Sequence, residues 1–177
     1  MKGYAVDGLI LQEREEMIDQ LMTLYGQEIL QLVFSYVKNK AVAEDLTQEI
    51  FIKCYKSLHT YKGRASLRTW LWRIAINTSK DYLKSWYNNN VVVSENEPYA
   101  TRCSTNTVEH EVIKKDEDAQ LAAAVMKLPV MYREVIYLFY FEDLMVKEIA
   151  DLIGLNQNTV KTRLKRAKDL LKELLEG

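Results

Sequence analysis

The residues that could carry chemistry in this chain are few, and none is placed for catalysis. The chain has two histidines, His59 and His110, and two cysteines, Cys54 and Cys103. Neither histidine has a cysteine or carboxylate neighbour at a metal-ligand spacing, and no phosphate loop or nucleophile motif occurs. The sequence therefore predicts no metal site, no cofactor and no enzyme activity, and it predicts that both cysteines are free thiols.

Basic and amide side chains near the C-terminus point instead to nucleic-acid binding. The stretch from Leu155 to Lys168 is rich in lysine and arginine and contains no acid. Polar residues, from Asn156 to Thr159, fill its beginning, and the beginning of a recognition helix is the part that reaches base edges in the major groove. The alternative is an ordinary surface helix with a solvated basic face.

A helix-turn-helix is the element that would position these side chains. Ile149 and Ile153 are four residues apart, so they share one face of a first helix. Gly154 then suits the left-handed conformation that ends a helix. Asn156 is a good N-cap for a second helix, and apolar residues at 160 and 164 give that helix its inner face.

A second basic segment lies in the first half of the chain. The stretch His59 to Ser66 breaks the helical pattern and reads as an exposed loop, and Ser66 can cap a helix predicted over Leu67–Trp86. Basic residues and aromatic residues alternate through this region, a combination that suits single-stranded nucleic acid. The alternative is a pair of core tryptophans beside a solvated basic face, and we expect at least one of Trp70 and Trp72 to be core.

Apolar periodicity predicts further helices on both sides of a linker. One long helix or two short ones run from about residue 9 to 38, and another helix covers Val42–Ser57. Segment 88–106 lacks periodicity and reads as a flexible linker. A helix over Thr107–Lys127 follows, and then a helix begun by Pro129. The core stripe expected for 42–57 is Leu46, Ile50, Cys54 and Leu58, and the buried face expected after Pro129 is Tyr132, Val135, Ile136, Phe139 and Tyr140.

Length and composition set the fold class and exclude a membrane span. The 177 residues include only 6 glycines and 2 prolines and carry a net charge of −1. No apolar run approaches the roughly 18 residues that a membrane helix needs, and no signal peptide is evident, so we expect a cytoplasmic protein. We predict an all-α chain of two small helical domains joined by a flexible linker. A near-neutral charge indicates modest affinity for DNA or help from a partner.

Four segments in this order resemble an extracytoplasmic-function (ECF) sigma factor of RNA polymerase. AEDLTQEIFIKCYKSL (43–58) resembles the helix that binds the clamp helices of the largest polymerase subunit. The loop YKGRAS with LRTWLWRIAINTSKDYL (67–83) resembles the reader of the promoter −10 element. LPVMYREVIYLFYFEDL (128–144) and IADLIGLNQNTVKTRLKRAK (149–168) resemble the domain that reads the −35 element and its recognition helix.

The resemblance implies domains, functions and contacts. Residues 1–87 would bind polymerase and recognise and melt the −10 element, 88–106 would be the linker, and 107–177 would read the −35 element. The implied polymerase-binding residues are Asp45, Gln48, Glu49, Phe51 and Lys53. The implied −10 residues, some around a flipped base, are Tyr61, Lys62, Gly63, Arg64, Ala65, Ser66, Trp70, Arg73 and Asn77. The implied −35 residues are Asn156, Thr159, Val160, Lys161, Arg163, Lys165 and Arg166.

The implied partners are core RNA polymerase, through its clamp helices and flap, promoter DNA, and an anti-sigma factor. The active protein would be associated with the nucleoid, and an anti-sigma factor would hold it inactive, in some cases at the membrane. Two positions depart from the family pattern, because Asn158 stands where glycine is frequent and Val146 where a polar helix-starting residue is common. The competing hypothesis is a stand-alone DNA-binding regulator with an N-terminal sensing or dimerising domain, which leaves the basic and aromatic segment unexplained.

Overall fold

The computed structural model describes residues 3–90 and 117–177, with side chains described from residues 11 and 118 onwards. Throughout these two stretches the regular secondary structure is helical, as the sequence predicts. The chain divides into two compact units, 1–85 and 86–177, and each is described by itself.

Three helices form the N-terminal unit. They are α1 (Gly3–Val37), α2 (Lys40–Ser57), which a short 3-10 turn follows at Leu58–Thr60, and α3 (Leu67–Asn90). The chain breaks between α1 and α2 at Lys38, whose φ is 56°, and Asn39 then caps α2 by accepting a 3.1 Å bond from the Val42 N–H. Because α2 begins two residues earlier than predicted, Glu44 and Asp45 lie beyond its first turn.

The core of this unit follows the predicted stripes. All four residues of the α2 stripe are buried, and they meet a buried face of α1 that includes Ile29, Leu32 and Val33. From α3 the core receives Trp72, whose ring stands edge-on to Tyr25 with centroids 5.4 Å apart. Trp70 is only half-buried, so Trp72 is the core tryptophan of the pair.

Helix α3 is longer than the sequence indicated. It continues to Asn90, so the first three residues assigned to the linker are helical. Periodicity missed them because three consecutive asparagines carry no apolar signal, whereas a helix end needs only local bonds such as that from the Asn90 amide to the Trp86 carbonyl, at 2.7 Å. The remaining linker residues, the start of the helix predicted from Thr107, Cys103 and His110 lie outside the described residues.

Four α-helices form the C-terminal unit, as predicted for the described part of it. They are α4 (Glu117–Lys127), α5 (Val130–Ile136), α6 (Val146–Ile153) and α7 (Gln157–Glu176), and Pro129 precedes α5. The buried Arg133 of α5 donates to the Leu128 and Met126 carbonyls, at 2.8 and 3.2 Å. These carbonyls lie at the end of α4, where intrahelical partners run out and a positive charge is favourable.

A π-helical turn at Tyr137–Phe141 changes which residues are buried after α5. The expected burial of Tyr140 is wrong, because that side chain is 52% exposed, and Phe139 is only half-buried. Leu138 is buried instead. An i→i+5 turn holds about one more residue than an α-helical turn, so side chains within it leave the 3.6-residue pattern on which the prediction rested.

The pH dependence of stability offers a test of the N-terminal core. Burial raises the pKa of the Cys54 thiol from 9.0 to about 12. The folded chain then keeps a proton that the unfolded chain loses above pH 9.0, so the stability that Cys54 contributes is present below pH 9 and lost as pH rises towards 12. We expect the free energy of unfolding to fall more steeply between pH 8 and 10 in the Cys103→Ser protein than in the Cys103→Ser, Cys54→Ala protein.

Urea titrations followed by tryptophan fluorescence would measure this, because Trp70 and Trp72 both lie in the N-terminal unit. The two proteins differ only at residue 54, so contributions from all other groups cancel in the difference. Parallel pH profiles for the two proteins would contradict the assignment of a buried, protonated thiol.

Candidate nucleic-acid interface

The turn between α6 and α7 is built by local hydrogen bonds. Gly154 ends α6 with a φ of 72°, the left-handed conformation predicted for it, and its N–H bonds to the Ala150 carbonyl. At the start of α6 the Glu148 carboxylate accepts a 2.7 Å bond from the Met145 N–H. Glu148 therefore satisfies one free backbone group of a helix whose own first residues, Met145 and Val146, offer no polar side chain for capping.

Helix α7 starts at Asn156 and is held by its inner face. The Asn156 side-chain oxygen accepts from the Thr159 N–H at 2.8 Å and from the Thr159 hydroxyl at 2.9 Å, so the predicted N-cap is confirmed. The inner stripe of Val160, Leu164, Ala167 and Leu171 is buried. Placing Val160 among the DNA-contacting residues was an error, because its side chain is fully buried and no partner can reach it.

The outer face of α7 combines positive charge with polar groups. Lys161, Lys165 and Arg166 are exposed, and Arg163 is half-buried. Arg163, Arg166 and Thr159 border an open groove of about 680 Å³, whose other wall is Met131 and Tyr132 at the start of α5. Asn158, which the sequence places at the polar start of the helix, lines the same groove, and so does Thr162, which the sequence analysis missed. The spacing of four residues between Thr162 and Arg166 was the signal that could have found it.

Lys168 has a different environment from the other basic residues of α7. Its ammonium lies 5.6 Å from the centre of the Tyr140 ring and 5.9 Å from that of Phe139. These distances are within the range of cation–π attraction. Lys168 thus links α7 to the aromatic π-helical turn.

The loop before α3 and the outer face of α3 form a second polar surface. Gly63 takes a positive φ of 70°, and the Tyr61 hydroxyl closes the loop by donating to the Ala65 carbonyl at 2.7 Å. The Tyr61 ring also contacts the Trp70 ring, with centroids 5.6 Å apart. Ser66 caps α3 as predicted, since its hydroxyl accepts from the Thr69 N–H at 3.1 Å.

The charged and polar groups of this surface are accessible. Lys62 and Arg64 on the loop, and Arg73 and Asn77 on α3, are all exposed. Trp70, Arg73 and Asn77 follow one another at spacings of three and four, so they share one face of α3. The structure therefore places an aromatic ring, an amide and a cation on one exposed face of α3, which the Tyr61–Trp70 contact joins to a loop with two more cations, an arrangement suited to unpaired bases and phosphates.

Arg68 belongs to the fold rather than to this surface. Its guanidinium lies 4.3 Å from the centre of the Trp72 ring and 3.3 Å from the Glu28 carboxylate on α1. The ion pair joins the first turn of α3 to α1, and the cation–π contact holds the guanidinium against the core tryptophan of its own helix. Sequence alone counted Arg68 with the basic residues of the segment, because its two partners are distant along the chain or hidden in the core.

A third surface lies on the outer face of α2. Asp45, Gln48 and Glu49 are exposed there, whereas Phe51 is buried, so its expected role in binding a partner is withdrawn. Ile52 shares the face of Asp45, Gln48 and Glu49 by helical spacing and is 53% exposed. It is the apolar residue of this face that the sequence analysis missed.

Lys53 holds this face to its neighbours. Its ammonium is 2.7 Å from the Glu49 carboxylate and 3.3 Å from the Thr78 hydroxyl of α3. Among the described residues, no ion pair involves Asp45. The face therefore presents one carboxylate that is already paired and one that is available to an incoming cation.

Two further properties concern only the part of the chain that the structure describes. There, no three histidine, cysteine or acidic side chains lie close enough together to hold a metal ion. In the same residues, no helix combines the length and the apolar composition needed to cross a membrane.

Comparison with known proteins assigns both units to one family. Residues 21–86 match the model of sigma-70 region 2, and residues 118–171 match that of sigma-70 region 4. RNA polymerase sigma factor SigV of Bacillus subtilis is 32% identical over 161 residues, which are 91% of this chain and 92% of SigV. The chain belongs to the ECF sigma factors of RNA polymerase. The ECF sigma-E factor of Haemophilus influenzae is 26% identical and matches 94% of this sigma factor and 92% of its own length.

Solved structures support the fold of this sigma factor. CnrH in complex with the cytosolic domain of CnrY aligns with a TM-score of 0.65 at 22% identity, covering 95% of this chain and 96% of CnrH. RpoE of Bartonella quintana in complex with the anti-sigma factor NepR aligns with a TM-score of 0.68 at 20% identity, covering 89% and 96%.

The cap of the recognition helix gives a test with an internal control. Asn156→Ala removes the acceptor for the Thr159 N–H and should cost about 1 kcal/mol locally, which corresponds to a roughly fivefold faster amide exchange in the first turn of α7. Hydrogen-exchange mass spectrometry of peptides that cover α6 and α7 would measure it. Asn158→Ala, two residues on, should leave exchange unchanged because its side chain caps nothing. Equal effects of the two substitutions would contradict the capping geometry.

Proposed function

We propose that this sigma factor binds core RNA polymerase and directs initiation at promoters through a −10 and a −35 element, and that it helps to melt the −10 region. The observation that carries the proposal is that the two nucleic-acid surfaces lie in the segments that match region 2 and region 4, in that order along the chain. The polymerase would supply the catalysis, and this chain would supply recognition.

The proposed division of labour follows the two units. Residues 1–87 form the polymerase-binding and −10 domain, 88–106 the linker, and 107–177 the −35 domain. The boundary of the compact units after Ser85 and the two matched segments support this division. Residues 88–90 are helical, so the first three residues of the proposed linker continue α3.

The outer face of α2 is the proposed contact with the polymerase clamp helices. The exposed Asp45 carboxylate can meet an arginine, the Gln48 amide can bond on either side, and Ile52 supplies apolar area. Glu49 and Lys53 neutralise each other, so they add shape and hydrogen bonding rather than charge. An exposed apolar residue beside a carboxylate fits a protein partner better than it fits DNA.

The loop Tyr61–Ser66 and the face of α3 are the proposed −10 reader. Lys62, Arg64 and Arg73 would hold phosphates of the unpaired strand, and Asn77 would meet a base edge. Trp70 offers a ring on which an extruded base can stack. Tyr61 would support the loop rather than contact DNA, because its hydroxyl bonds to Ala65 and its ring packs on Trp70. These two contacts fix the shape of the loop.

The outer face of α7 is the proposed −35 reader. Arg163 and Arg166 border the groove and can pair with phosphates, while Lys161 and Lys165 extend the positive charge along the helix. Asn156 and Thr159 contribute mainly by fixing where the helix begins, since they bond to each other.

Two protein partners complete the proposal. The exposed Tyr140, Phe141 and Met145 form an apolar patch at the π-helical turn, which would receive the flap of the polymerase. An anti-sigma factor would keep the protein inactive, by analogy with RpoE of Bartonella quintana, whose solved structure contains the anti-sigma factor NepR. The free protein would then join polymerase on the nucleoid, and the inhibited protein would stay with its anti-sigma factor, at the membrane if that partner is anchored there.

Run-off transcription tests the function directly. Purified bacterial core polymerase, this chain and a library of promoter-length duplexes should yield discrete transcripts that require both proteins, and their start sites would define the two promoter elements. Omitting either protein is the control. Tight, specific duplex binding by the chain alone, without any polymerase-dependent transcript, would refute the proposal in favour of a stand-alone regulator.

The polymerase contact has a matched pair of substitutions on α2. Asp45→Asn should weaken binding to core polymerase roughly tenfold, because one charge-assisted bond worth about 1.5 kcal/mol is lost. Glu44→Gln is the control, since Glu44 is also exposed but sits 3.9 Å from Lys40 in an exposed pair of little energetic value. Competition against a labelled wild-type chain would measure both. Equal affinities of the two variants would remove Asp45 from the interface.

A further inference from the structure

Asn158 is an exposed amide that the assignments above leave unused. It lies in the first turn of α7 and lines the groove beside Thr162 and Arg166. Among the residues that the structure describes, none bonds to its side-chain amide. Asn156 differs in this respect, because its side-chain oxygen already accepts two hydrogen bonds from Thr159. Asn158 thus offers a free NH2 donor group and a free carbonyl acceptor at the end of the recognition helix that enters the major groove first.

The position of Asn158 on the helix directs it towards base edges. Asn158, Thr162 and Arg166 follow one another at intervals of four, so they form one stripe along α7. The stripe lies on the side of the helix away from the buried Val160, Leu164 and Ala167. The Thr162 hydroxyl donates to the Asn158 backbone carbonyl at 2.9 Å, so its proton is engaged and the Asn158 amide is the freer hydrogen-bonding group of the stripe.

The chemistry of a carboxamide selects one base. In the major groove adenine presents an acceptor at N7 beside a donor at N6, and an asparagine amide matches both at once. We propose that Asn158 is a specificity-determining residue that selects adenine at one position of the −35 element. The inference rests on the proposed function, because it needs α7 in the major groove of promoter DNA. A phosphate contact is the weaker alternative, since an amide has no charge and two guanidinium groups already border the groove.

A selection experiment with complete holoenzyme tests this. The −35 segment of a promoter obtained by run-off transcription would be randomised, transcribed by core polymerase with each variant, and sequenced. The wild-type chain should favour adenine at one position by roughly 5- to 100-fold over the other bases. Asn158→Ala should lose that preference and keep those at other positions, and Asn158→Asp, which only accepts, should shift it towards cytosine.

Gln157→Ala is the matched control, because Gln157 is an exposed amide of the same turn that does not line the groove. It should leave the selected sequence unchanged. An Asn158→Ala profile identical to that of the wild type, or a uniform loss at every sequence, would overturn the inference while leaving the proposed function intact. A wild-type chain that selects no −35 sequence at all would refute the proposed function, and this inference with it.

Discussion

The buried stripe of α7 is the constraint on which the proposed promoter reader depends. A helix has fixed angular spacing, so once Val160, Leu164 and Ala167 enter the core, the direction of every other side chain on α7 is decided. Burial of each large apolar side chain contributes about 1.5–3 kcal/mol, and the burials of one stripe act together to fix the rotation of the helix. Gly154 and Asn156 fix the position of α7 along its axis, because they set the residue at which the helix starts. Packing of the buried stripe therefore determines the direction in which the polar face of α7 points.

Signals that act within a few residues were predictable from the sequence. The left-handed glycine at 154, the cap at 156 and the cap at 66 are decided by backbone groups close along the chain, and all three are as expected. The α2 core stripe was also predictable, because four apolar residues at intervals of four lie on one face of a helix and are buried together when that face packs. These features were enough to predict two helical units and to locate the turn between α6 and α7.

Features that depend on distant neighbours were not predictable. Arg68 and Lys53 are basic residues in basic or polar segments, yet each is tied to another helix, through Glu28 and Thr78. Phe51 and Ile52 are adjacent and both apolar, and only the packing of α1 against α2 decides which of them faces solvent. The π-helical turn was also not predictable, since no local sequence pattern indicates one extra residue in a turn.

The distribution of charge between α1 and α7 affects how the protein partitions between non-specific DNA and other partners in a cell. Acidic side chains such as Glu13, Glu16 and Asp19 are exposed on α1 and offset the cations of α7, so that the whole chain carries a net charge of −1. A genome offers about 10⁶–10⁹ competing non-specific sites, and a strongly basic protein would be spread over them by counterion release. A nearly neutral chain whose cations are confined to small faces binds these non-specific sites less. In the proposed function, the exposed acids of α1 therefore limit non-specific binding to DNA, while the outer face of α7 supplies selectivity.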